Sequence, residues 1–227
     1  MEEKNNSNKY RLDKDKLVHE WPLWLLLGGL LVAAILVYPH LPAQVPGHWN
    51  IHGQVDKYYP RAFGAFFAPL LTIGIYVLML ITPLLDPRQD NYVRFSGAYT
   101  TLRWVLVIFF SFIYAVTIMV ALGYAVNVAL IIKALVALLL LIIGNFMGQF
   151  RHNYFVGIKT PWTLNNDAVW QQTHRLGARV WVAGSLICLA LAPVQAAWSA
   201  WLYFGTIMVM VIVPTVYSYL IYRRLAG

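Results

Sequence analysis

Charge is what this sequence has least of. Only 11% of its 227 residues are Asp, Glu, Lys or Arg, against about a quarter in a soluble domain. So thin a charge density cannot cover a surface facing water; it suits one facing lipid. Cysteine is almost absent as well. Cys188 is the single thiol and sits in an apolar run, which excludes an intramolecular disulfide and predicts a buried structural thiol. No acidic residue falls inside an apolar run, so paired carboxylates for carrying protons or cations have no place. There is no Walker loop, no dinucleotide fingerprint and no Ser/His/Asp spacing. The net charge of +8 is scattered in short segments between apolar runs. That is the pattern of loops at an anionic leaflet, not of a nucleic-acid face, and no direct nucleic-acid partner is expected.

What is present is 60% apolar residues. A spanning helix needs roughly 20 of them in a row, and runs at 21–38, 63–85, 104–122 and 126–147 qualify. From 180 to 222 no residue is charged, long enough for two more, with Pro193 and Gln195 marking a turn between them. The first run has no small-x-small motif behind it and reads as an uncleaved helix. The outer segments hold only Lys57 and Arg61, Lys133 lies within the fourth run, and every other Lys and Arg falls inside if the amino terminus is cytoplasmic. This positive-inside bias predicts an all-α membrane protein of six transmembrane helices with both termini cytoplasmic. Its parts are a charged cytoplasmic tail (1–20) and two three-helix halves. The first half (21–122) carries an extracellular loop at 39–62; the second (123–227) carries a cytoplasmic loop at 150–177. An odd number of helices per half gives opposite orientations, a candidate 3+3 inverted repeat. In support, Trp49 and Trp162 each have a turn former four residues on (Gly53, Asn166) and a Gly-Ala pair fifteen on (Gly64-Ala65, Gly177-Ala178).

The two long loops hold the informative residues. In the outer one, three prolines and two glycines between 42 and 60 argue against a continuous helix. His48, His52 and Asp56 are spaced four apart, a face that on a helix would ligate a divalent metal. The competing reading is a compact hydrogen-bonded cap in which Asn50, Gly53 and Asp56 shape a turn. In the inner loop, Thr163 or Asn165 would cap a short helix starting near Asn166. Trp162, Trp170 and nearby cations would rest on the inner leaflet. Asn145, between Gly144 and Gly148, fits a helix–helix contact. Lys133 is the one intramembrane charge, a functional candidate by default. It could also snorkel outward, or pair with Asp56 or a tyrosine of the outer loop.

Val45-Pro46-x-His48-Trp49-Asn50-x-x-Gly53-x-Val55-Asp56 resembles the first signature of the SdpI family, bacterial immunity proteins against a secreted sporulation-delaying peptide toxin. Gly144-Asn145-x-Met147-Gly148, then Asn153-x-x-x-Gly157-Ile158-Lys159-Thr160-Pro161-Trp162-Thr163-Leu164, then Val169-Trp170-x-x-Thr173-His174-Arg175 resembles its second. Asp86-Pro87-Arg88 with Asn91 also fits. The resemblance implies a multi-pass protein of the bacterial cytoplasmic membrane, with no established enzymatic reaction and no cofactor. It implies membrane lipid and a secreted peptide toxin as partners, and a transcriptional repressor held at the membrane by the toxin-bound form. The site residues it marks are His48, Trp49, Asn50, Gly53 and Asp56 outside, and Asn145, Asn153, Lys159, Thr160, Trp162 and His174 inside. Two other readings stand beside it: an outer-surface metalloenzyme built on His48, His52 and Asp56, and a small transporter suggested by the repeat and Lys133.

Overall fold

A backbone in lipid has no water to bond, so apolar runs of this length close their hydrogen bonds internally as helices. A computed structural model, which describes residues 10–12, 14–50 and 53–226, has that form. The helices are α1 (Lys14–His19), α2 (Trp21–Val37), α3 (Arg61–Leu85), α4 (Gln89–Val93), α5 (Ser96–Ala121), α6 (Val128–Met147), α7 (Pro161–Asn165), α8 (Asp167–Leu191) and α9 (Ala197–Ala226). Five stretches, Trp21–His40, Arg61–Leu85, Ser96–Ala121, Val128–Met147 and Ala197–Leu225, are long and apolar enough to cross a membrane. The fold is that of an all-α membrane protein with one short exception, an antiparallel hairpin of β1 (Gln44–Trp49) and β2 (Val55–Pro60).

The helices pack as two triplets, α2–α3–α5 and α6–α8–α9, joined where α5 meets α6. One core cluster joins Leu23, Leu27 and Leu30 of α2 to Ala65 and Tyr76 of α3 and Val107 and Tyr114 of α5, and reaches Val45 of the hairpin. Helix α8 is the least apolar of the long helices, because Asp167, Arg175 and Arg179 occupy its first half. It is seated by small residues. A Cβ at Gly144 of α6 would lie 2.8 Å from the Trp181 Cβ, and one at Gly184 would lie 2.5 Å from Met210. Such close backbone approach is how helices associate in lipid, where burial of apolar surface gives no drive.

Two boundaries and one aromatic differ from the sequence expectation. Helix α8 runs unbroken from Asp167, taking in residues expected in the inner loop up to 177, because Asn166 caps it directly. Helix α5 begins at Ser96 rather than near 104, because Arg103, read as a loop cation, is a buried residue of the helix. Trp170, read as an interfacial aromatic, is fully buried. The turns near Gly123 (φ +88°) and Pro193 fall as expected, and Cys188 is buried.

Candidate functional site

The hairpin arises because its loop combines β-branched and aromatic residues (Val45, Trp49, Val55, Tyr59) with glycines where the backbone must be bare. A Cβ at Gly47 would meet the Tyr59 ring at 2.1 Å. Gly53, at φ +76°, closes the turn, and its N–H donates to the Asn50 carbonyl (2.9 Å). Asn50 fixes the same turn twice. Its N–H donates to the Gln54 carbonyl (2.9 Å), and its Oδ1 accepts from the Gln54 N–H (3.1 Å). The register slips at two places, between Pro46 and His48 and between His48 and Trp49. Such irregularities re-aim side chains, and here they bring His48 Nδ1 to 2.5 Å from Asp56 Oδ1. Both side chains stay solvent-accessible, at 63% and 42% exposure. Asp56 is thus a strand residue bonded to His48, while Asn50 and Gly53 make the turn. His52, the remaining metal candidate, lies outside the described residues. Among the described residues no three His, Cys, Asp or Glu side chains converge as a metal site.

The hairpin continues into an exposed aromatic ladder. Tyr59 stacks on Phe63 (4.7 Å between centroids) and Phe63 on Phe67 (4.4 Å), with Lys57 Nζ 5.1 Å from the Tyr59 ring.

At the opposite end of the bundle the second set of signature residues forms a closed knot. Asn153 is fully buried. Its Nδ2 donates to the Arg151 and Val156 carbonyls (2.8 and 2.9 Å), and its Oδ1 accepts from the N–H groups of Phe155 and Val156 (2.9 and 2.7 Å). Tyr92 OH lies 3.3 Å from the same oxygen. His174 Nδ1 donates to the Trp170 carbonyl (2.8 Å) and Nε2 accepts from the Ile158 N–H (2.9 Å), a bonding pattern of the neutral ring. Burial pushes its pKa down to about 4. Gly157, at φ +119°, permits this approach, since a Cβ there would lie 2.4 Å from His174 Nε2. Thr160 and Thr163 cap α7 reciprocally, and Asn166, one residue past the expected Asn165, caps α8. Lys159 Nζ donates to the Tyr154 and Phe155 carbonyls (3.3 and 3.1 Å), and Trp162 packs on Tyr219 (5.0 Å). Asn145 is exposed on α6, so the helix–helix contact expected of it is not made, and Lys159 is exposed as well.

The connector before α5 is tied into this knot. Asp86 accepts from the Tyr154 N–H (2.8 Å), the Arg88 N–H (2.7 Å) and Tyr92 OH (3.0 Å), and Asn91 donates to the His152 carbonyl (2.7 Å). Burial, then the Asp86 charge, raises the Tyr92 phenol above its ordinary range. His152 Nδ1 pairs with Asp167, which Arg88 also reaches (3.2 Å). The His152 bond, foremost, holds the Asp167 carboxyl below the usual carboxylate range. His152 and His174 sandwich the Trp170 ring, at 4.9 and 4.1 Å between centroids.

Comparison with known proteins matches this arrangement. Residues 149–218, the knot with α8 and most of α9, match the SdpI/YfhL protein family. Residues 25–73, which contain the hairpin, match a family described as a domain of unknown function, DUF1648. The chain is 24% identical over 196 residues to "Immunity protein SdpI" of Bacillus subtilis (strain 168), an alignment spanning 86% of this chain and 92% of that protein. The chain is therefore similar to the SdpI/YfhL family in its inner loop and last two helices, and to one immunity protein along most of its length. It is a multi-pass protein of the cytoplasmic membrane. No solved structure matches it.

Two features of this chain escape a sequence reading. Glu20 and Arg103 form a buried ion pair. Glu20 also accepts from Tyr76 OH (2.8 Å), which in turn accepts from Trp24 Nε1 (2.6 Å). Glu20 sits at the edge of a charge-rich tail and Arg103 nine residues after a loop arginine, so neither stood out from its neighbours. The expected partner of Lys133 was Asp56 or a loop tyrosine; its Nζ instead donates to the Val194 carbonyl (3.3 Å), because Asp56 is held by His48.

Proposed function

We propose that this chain is an immunity protein that protects its cell from a secreted amphipathic peptide met at the hairpin face. The similarity to an immunity protein along nearly that protein's whole length carries the reading. The hairpin supports it. Its aromatic ladder descends from half-buried Tyr59 to exposed Phe63 and Phe67 on the first turns of α3, apolar surface that the bundle leaves uncovered. Exposed apolar surface rimmed by polar groups is a docking feature, and His48, Asp56 and Lys57 supply that rim.

In this reading the uncharged part of α8, from 180 onward, belongs to the sixth span, its first half with Asp167 and His174 lies at the cytoplasmic surface, both termini are cytoplasmic and the hairpin is extracellular. The triplets α2–α3–α5 and α6–α8–α9 are inverted repeats. Gly64 and Gly177 support the repeat, since each lets the preceding loop press on the second long helix of its half, through Val45 and Ile158 respectively. Within the knot Asn153, Thr160 and His174 are a scaffold, their side chains engaged by backbone groups and a neighbouring hydroxyl. Signalling to a cytoplasmic repressor would therefore use the knot's outer surface, where Arg88, Tyr154 and Lys159 are accessible. The chain needs no catalytic chemistry and no cofactor for this role.

The test is survival and membrane potential of a sensitive bacterium expressing the chain and challenged with the sporulation-delaying peptide. Protection relative to an empty vector is expected. Equal killing, with the protein present in the membrane, would withdraw that peptide as its target.

A further inference from the structure

Lys133 stands on the second turn of α6, in the wall of two adjoining cavities. One, of about 300 Å³, is a polar mouth at the hairpin end, bounded by Asn127, Gln195 and the Val194 carbonyl. The other, of about 660 Å³, lies beneath Trp49 and Gly53 of the hairpin and is walled by Ile113, Ile132, Val136 and Phe204. Both volumes fall within or at the edge of the roughly 300–1,000 Å³ of small-molecule sites. They share Ala129, Lys133 and Ala200, so one molecule with a polar head and an apolar body would fill both.

The charge selects the head. Neither wall contains a carboxylate. Asp56, the acidic residue of the hairpin, is bonded to His48. The Lys133 ammonium has three donors and engages one carbonyl, at 3.3 Å. A cation left at this depth draws an anion. A zwitterionic head would bring a second ammonium into a mouth that already holds one.

We infer that this paired cavity binds an anionic phospholipid, its phosphate on Lys133 and an acyl chain beneath the hairpin. The site lies beside the hairpin's turn, away from the Tyr59–Phe63–Phe67 ladder; His48 lines it as well, but lipid uptake is measured without peptide, so the two readings fail separately. A resident lipid there would fill the space under Trp49 and brace the turn whose Gly53 rests on Ala129.

The experiment is native mass spectrometry of the purified, delipidated protein titrated with phosphatidylglycerol and phosphatidylethanolamine of the same chains. The wild type should take up one phosphatidylglycerol about fivefold in preference. Lys133→Arg should keep that preference and Lys133→Met should lose it. Ile207→Trp, which fills the apolar cavity, should weaken both lipids alike. Equal uptake of the two lipids by the wild type would overturn the inference, as would an undiminished preference in Lys133→Met.

Discussion

Asn153 is the keystone of the knot, and its replacement has a calculable consequence. Its side chain satisfies the carbonyls of Arg151 and Val156 and the N–H groups of Phe155 and Val156. It is fully buried, so water cannot take over. Asn153→Ala strands up to four backbone groups. Leaving a buried group unbonded costs about 1–3 kcal/mol each; with two of the four relaxing onto other partners, the loss is about 2–6 kcal/mol. The Ala side chain also leaves Tyr92 OH with Asp86 as its remaining partner. Asn153→Asp separates the contributions, since it keeps the oxygen that serves Phe155 and Val156 but loses both donations. With an acceptor oxygen now facing the two carbonyls and a buried charge near Asp86, it should be no more stable than Asn153→Ala at neutral pH. The assay is thermal unfolding of the purified protein in mild detergent, followed by monodispersity and intrinsic fluorescence. An Asn153→Ala protein unfolding at the wild-type temperature would refute the claim that this residue is a scaffold.

Other expectations follow the same physics. His174 is held neutral, with a pKa pushed down to about 4 against 6.5 when exposed. The opened loop therefore binds more protons between those values. Its stabilisation, about 3 kcal/mol at most, is complete above pH 6.5 and lost as pH falls toward 4; a flat unfolding temperature across that range would contradict it. Gly157→Ala should destabilise by a comparable amount, through strain at φ +119° and displacement of His174, seen as loss of monodisperse protein. Arg103→Met leaves the Glu20 carboxylate buried without its cation, a loss of about 3–5 kcal/mol. The double change Glu20→Gln with Arg103→Met should recover most of it, and a double variant as unstable as the single one would argue against charge as the cause.

Five spans were legible because the lipid imposes one simple demand, an apolar run of sufficient length; α8, charged through its first half, does not meet it. The turns at Gly123 and Pro193 were legible for the same reason, as breaks in that run. The hairpin was half legible. Prolines and glycines argued against a helix, and Asn50 and Gly53 announced a turn, but the strand pairing depends on two register slips that spacing cannot reveal. The His48–Asp56 contact is a product of those slips. The i, i+4, i+8 spacing that pointed to a helical face had no helix beneath it. Trp170 was misplaced because an aromatic near a membrane boundary looks the same whether it faces lipid or is clamped between two histidines. Arg103 was misplaced because counting cations by loop ignores a partner 83 residues away. Each of these depends on tertiary neighbours, not on local pattern.

The central claim is that protection is seated in the hairpin's polar pair, not in the bulk of the bundle. The direct measurement is survival of a sensitive bacterium under peptide challenge with wild type, His48→Ala and Asp56→Ala at equal membrane levels. The account predicts protection by the wild type and its loss in both variants, with unfolding temperatures unchanged because both side chains are solvent-accessible. Full protection by both variants would contradict it.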